Sequence, residues 1–78
     1  MRTVKRVGAA QVIWDVEWFD ANGTPLEQRQ GLERETAEHQ AQHWLKAKPR
    51  SRVYLYRRHG ETSVLMQIFA TIAQEHAN

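Results

Sequence analysis

Between Val12 and Phe19 the chain alternates without a break, Val12, Trp14, Val16 and Trp18 against Ile13, Asp15, Glu17 and Phe19. Successive side chains of a strand point to opposite faces. The pattern therefore predicts a strand over 11–19 with one wholly apolar face, carrying two of the three tryptophans. The next stretch, Asp20-Ala21-Asn22-Gly23-Thr24-Pro25, is turn chemistry. Asn-Gly is the strongest short hairpin signal because both residues tolerate positive φ. A second strand is expected over 26–33. Leu26 and Leu32 are its only large apolar residues, which makes it a polar edge beside a central first strand. Gly31 within it marks a bulge.

Helical spacing follows. Ala37, Ala41, Trp44, Leu45 and Lys48 fall on one stripe, with Thr36 as the expected N-cap and Pro49 as the stop. The two alanines let the helix lie close to the sheet, and Trp44 supplies a roof for Trp14 and Trp18. Glu35, Glu38, His39, Gln42, His43 and Lys46 form the wet face. A third strand is expected over 52–57, with Val53 and Leu55 on one face and Tyr54, Tyr56 and Arg58 on the other. His59-Gly60-Glu61 reads as a turn.

The stretch 62–74 reads in two ways. As a helix, Ser63, Gln67, Thr71 and Gln74 make a polar stripe against Leu65, Ile68, Phe69 and Ile72. As a strand, Val64, Met66, Ile68, Ala70 and Ile72 share one face, and Leu65 and Phe69 join the opposite, outer one. The two stripes and the good helix formers favour the helix. The expected class is thus α+β: one domain with an antiparallel three-stranded sheet, ββαβ plus a C-terminal helix, and the helix 36–47 packed on one sheet face. A fourth C-terminal strand is the alternative. Residues 1–10, with Arg2, Lys5 and Arg6, read as a basic arm or an extra edge strand over 3–7.

Composition narrows the function. A chain of 78 residues buries only roughly 60% of the surface its unfolded form exposes. It has no cysteine, so disulfides, thiolate zinc sites and thiol catalysis are excluded. A hydrophobic share of 41% against 26% charged residues is that of a folded globule. A net charge of +2 permits a nucleic-acid partner without requiring one. No apolar run reaches the length of about 20 residues that spans a bilayer. Nor does an apolar h-region follow Arg2-Thr3-Val4-Lys5-Arg6. The expectation is a cytoplasmic protein with no membrane contact.

Enzymatic signals are weak. His39 and His43 lie four apart on the predicted helix, yet His-Gln-Ala-Gln-His lacks the glutamate of a zinc protease. Asp15 and Glu17 lie side by side on one strand face and are best explained as keeping it wet. Ser51 and Ser63 lack a nucleophile-elbow setting, and the four glycines are scattered. No catalytic residue, metal or cofactor is expected.

The basic and aromatic stretch toward the third strand is more informative. Lys46, Lys48, Arg50, Arg52, Arg57 and Arg58 surround Tyr54 and Tyr56. Arginines can pair with carboxylates or phosphates, and tyrosines give contact area with little entropy to lose. The candidate partner-binding residues are Arg50, Arg52, Tyr54, Tyr56, Arg57 and Arg58. The leading expectation is a non-catalytic module that docks on a protein or nucleoprotein partner. The alternative is a single-stranded nucleic-acid binder that stacks bases on the two tyrosines. Asp15, Glu17 and Glu27, expected on the same outer face, oppose that alternative. Apolar side chains left on the outer face also fit self-association into a homodimer.

The chain resembles small bacterial and phage proteins of unknown function. The likeness rests on the Trp14-Asp15-Val16 strand start, the Asn22-Gly23 turn, the Thr36-Ala37 helix start and the strand Val53 to Tyr56. In size and build it is similar to phage- and plasmid-borne accessory proteins, including anti-CRISPR inhibitors. That resemblance implies a regulator or inhibitor encoded by a mobile element and assigns no site residue.

Overall fold

The computed structural model describes residues 12–71. The expectations for residues 1–10, for Gln11 and for 72–74 lie outside them. The first strand, β1 (Val12–Phe19), is followed by β2 (Pro25–Leu32), the helix α1 (Arg34–Ala47), β3 (Arg52–His59) and β4 (Thr62–Ala70). The sheet order is β2-β1-β3-β4, and every neighbouring pair is antiparallel. β2 and β3 therefore run the same way on either side of β1, and α1 is the crossover that joins them.

The apolar face of β1 closes against the helix, as its alternation requires. Val16 and Val53 are fully buried, and Leu55, Ala37, Ala41, Trp44 and Leu45 complete the core. Each fully buried Val or Leu contributes about 1.5–3 kcal/mol. Trp14, Trp18, Leu32 and Phe69 pack around this centre. The indoles of Trp18 and Trp44 stack with centroids 5.1 Å apart and planes 6° from parallel. The Arg34 guanidinium lies 5.2 Å above the Trp14 ring. Between them, helix backbone, indole and guanidinium roof the three central apolar side chains of β1.

A polar latch closes the far end. The Trp18 Nε1–H donates to Ser51 Oγ at 2.8 Å, and the Ser51 hydroxyl donates to the Lys48 carbonyl at 2.6 Å. Lys48 caps the helix C-terminus, its N–H bonded to the Trp44 carbonyl at 3.0 Å. The chain is thus pinned where it leaves the helix for β3.

Several local expectations need correction. The helix starts at Arg34, two residues before Thr36. Glu33 occupies the N-cap position and its side chain makes no capping bond. An Arg34–Glu38 pair at 3.1 Å braces the first turn instead. The first hairpin is not a two-residue Asn-Gly turn. Only Gly23 has positive φ, 86°, and the loop closes on Asp20, whose Oδ1 accepts the N–H groups of Asn22 and Thr24 at 2.9 Å each. Asp20 wins because one carboxylate satisfies two backbone donors.

The main correction concerns residues 62–70, which form the fourth strand and not the favoured helix. Gly60 at φ 65° opens the two-residue turn Gly60-Glu61, the geometry of a type II′ hairpin. That turn delivers the chain directly beside β3. There the ladder satisfies backbone groups that β3 would otherwise leave open. A solitary helix of this length gains far less. The strand is bulged: Leu55 pairs with Gln67 and Tyr56 with Leu65, so Met66 is the extra residue. The bulge switches the face on which successive side chains fall. Phe69, expected outside, turns inward onto the core, while Leu65 and Ile68 share the outer face.

Candidate binding face

Opposite the helix, the sheet presents a second face on which none of the described elements packs. The even-numbered residues of β3, Arg52, Tyr54, Tyr56 and Arg58, lie on it beside Ile13, Asp15, Glu17 and Phe19 of β1. Four of the six candidate residues are thus brought together. Arg57 is not, because it alternates with Val53 and Leu55 and faces the helix side, opposite Trp14 and Val64. Arg50 lies exposed in the turn between α1 and β3. Glu27 also falls on the helix side, opposite Trp18, where it pairs with Arg29 at 2.8 Å.

Three contacts organise the face, and all lean the same way. Asp15 lies opposite Tyr56 but binds Arg58. Glu17 lies opposite Tyr54 but binds Tyr56. Phe19 lies opposite Arg52 but packs edge-on against Tyr54, with centroids 5.2 Å apart. Each contact is the diagonal neighbour across the β1–β3 ladder. A uniform lean of this kind accompanies the right-handed twist of paired strands.

The Asp15 site is the most developed. Arg58 Nε donates to Asp15 Oδ2 at 2.8 Å and Arg58 Nη2 donates to Oδ1 at 3.1 Å. The Gly31 N–H donates to the same Oδ1 at 3.0 Å. That N–H is available because β2 bulges here: Trp14 pairs with Leu32 and Val16 with Arg29, and Gly31 adopts φ 73°. Asp15 retains only 8% of its exposure. Its hydrogen bonds from Arg58 hold its pKa below the usual carboxylate range against the opposing effect of burial; the Gly31 N–H and the charge of Arg58 add to the lowering. The same bond raises the Arg58 pKa. Burial, then the hydrogen bond to Glu17 at 3.0 Å, raises the pKa of the Tyr56 phenol.

Arg58 is therefore occupied by a carboxylate of its own chain. The two acids and the two arginines of this face, Asp15 and Glu17 with Arg52 and Arg58, balance in formal charge. The face is an aromatic strip, Phe19-Tyr54-Tyr56, set beside one ion pair, Asp15–Arg58. A shallow groove beside it is lined by Asp15, Glu17, Gln28, Gln30, Tyr56 and Ser63. Among the described residues no group of three or more His, Asp or Glu side chains is placed to hold a metal ion, and His39 and His43 are exposed on the helix. No helix of the described residues is long and apolar enough to cross a membrane.

Two residues that tie the strands and the helix end together were missed in the sequence. Asp15 read as one of two solubilising acids, and its partner emerges only once the β1–β3 register is known. Ser51 carries no local signal for its bond to Trp18, 33 residues away. No protein-family model matches this chain, and no curated protein or solved structure shows significant similarity to it.

Proposed function

We propose that this domain is a non-catalytic binding module that docks a protein partner onto the open face of its sheet. The observation that supports this reading is the half-buried strip Phe19-Tyr54-Tyr56, held in place by contacts within its own chain. Pre-ordered aromatic side chains lose little entropy on binding, and they are the residue types in which interface energy concentrates. The Asp15–Arg58 pair and the Glu17–Tyr56 bond supply polar groups beside the strip that are already satisfied. The matching partner surface is an apolar depression edged with hydrogen-bonding groups. A regulator or inhibitor encoded by a mobile element is one concrete form of such a module.

The same geometry disfavours the nucleic-acid alternative. Arg58 is spent on Asp15, and Glu17 bonds the hydroxyl of the tyrosine on which a base would stack. The experiment is affinity capture from the producing cells, followed by binding of the purified partner to wild type and to a Tyr54→Ala/Tyr56→Ala variant. The reading expects at least about a tenfold loss of affinity, or roughly 1.4 kcal/mol, with an unchanged circular dichroism spectrum. Equal affinity of both forms would overturn it. So would tight oligonucleotide binding that falls log-linearly with salt.

A further inference from the structure

Among the described residues the sheet has two edge strands, and they are built differently. β2, Pro-Leu-Glu-Gln-Arg-Gln-Gly-Leu, carries a proline, an ion pair and a glycine bulge, all devices that blunt an edge. β4, Thr-Ser-Val-Leu-Met-Gln-Ile-Phe-Ala, has no charge, no proline and no glycine in nine residues. Val64, Leu65, Met66 and Ile68 on it are 44–48% exposed. A long neutral apolar edge is a template for another strand. We infer that β4 pairs antiparallel with β4 of a second copy of this chain, forming a two-fold homodimer with a continuous eight-stranded sheet.

The occupant is argued from the strand itself. Self-pairing brings each residue against its own strand's chemistry, so any charge on an edge meets charge of the same chain. β4 has none to clash. The bulge at Met66 also restricts the registers open to such a pair. Before it, Ser63 and Leu65 point to the open face; after it, Ile68 and Ala70 do. Antiparallel partners must share a face, and among the registers that do so one sets the exposed apolar side chains against each other. Leu65 then lies opposite Ile68 of the second copy, Val64 opposite Phe69 and Ser63 opposite Ala70, with the two-fold axis between Met66 and Gln67. Leu65 and Ile68 pair with Tyr56 and Tyr54, which are two apart on β3. They therefore occupy ladder positions of one kind, as direct partners must. On the helix side, Val64 of the second copy arrives beside the groove lined by Gln42, Leu45 and Phe69. The axis stands perpendicular to the sheet, so both helices lie on one face and both aromatic strips on the other.

The proposal stands independently of the docking reading, because its test leaves Tyr54 and Tyr56 untouched. Sedimentation of the full chain should show a monomer–dimer equilibrium at about micromolar concentration, in line with a small interface. Leu65→Lys/Ile68→Lys should abolish the dimer and leave circular dichroism unchanged, since both sites are already exposed. The chain has no cysteine of its own, so engineered thiols report the register without background. Leu65→Cys and Ile68→Cys chains should form a disulfide when mixed and oxidised. Neither should do so alone, because like residues are three positions apart along the pair, about 10 Å, beyond the reach of a disulfide. A chain that stays monomeric at every concentration, a dimer indifferent to the lysines, or cross-linking of one cysteine variant with itself would each overturn the proposal.

Discussion

β1 and β3 serve two faces at once, and the faces are stabilised by different means. On the helix side, Val16, Val53 and Leu55 are sealed from water under Trp44 and the alanines of α1. On the open side the same two strands are tied by Asp15–Arg58, Glu17–Tyr56 and Phe19–Tyr54. Apolar burial pays best where water can be excluded, and one helix can exclude it from only one face. Where water stays, paired polar groups and aromatic edges hold the strands in register without demanding a cover. The closed face carries the stability, and the open face is left uncovered by the described elements.

The sharpest test of that division is truncation under the helix. Leu55→Ala should cost about 2–5 kcal/mol and Trp44→Ala about 3–5 kcal/mol, read as a drop in the urea midpoint at constant slope. A loss below about 1 kcal/mol at both would show that the core lies elsewhere. On the open face, Asp15→Ala strands the Gly31 N–H and an arginine, with an expected loss of about 2 kcal/mol. Its pH dependence has a definite sign. A carboxyl whose pKa falls on folding stabilises the native state above its unfolded value, about 3.9. That contribution disappears as the pH drops through the lower folded value. Wild type should therefore lose more stability than Asp15→Asn when acidified below about pH 4. Parallel acid limbs for the two proteins would break the assignment.

Smaller effects refine the picture. Ser51→Ala leaves the Trp18 indole N–H without its acceptor and should cost about 1–2 kcal/mol, with a change in near-UV circular dichroism from the stacked indoles. Tyr56→Phe removes one hydrogen bond at the half-exposed strip and should cost about 1 kcal/mol or less. The raised pKa of Tyr56 means that its phenol supports folding below about pH 10, an increment lost as the pH rises through the folded value. Ultraviolet difference titration should show one tyrosine ionising late in wild type and absent in the variant. If Tyr56→Phe proved more damaging than Leu55→Ala, the ranking of the two faces would be reversed.

Legibility in the sequence followed the range of each interaction. The alternation of β1 placed Trp14, Val16 and Trp18 on the side that meets the helix, although Val12 at the strand's start stays exposed, and Ala37, Ala41, Trp44 and Leu45 named the face of α1 that meets it. Of the candidate binding strip, Tyr54, Tyr56 and Arg58 were placed on one face correctly by period two alone. Arg57, one residue out of phase, belongs on the other. What could not be read was the company these residues keep. Arg58 appeared as a charge offered to a partner, and only the pairing of β1 with β3 shows it committed to Asp15.

The chain by itself determined which segments alternate, which follow a helical stripe, and which side of each is apolar, because those depend on neighbours within a few residues. The tertiary structure decided the rest. It made residues 62–70 a strand, turned Phe69 inward through a one-residue bulge, and matched Asp15 with Arg58 across the ladder. The reason is physical. Backbone hydrogen bonds of a sheet lie between segments distant in sequence, so an ambiguous apolar run takes the form that an adjacent open edge can satisfy.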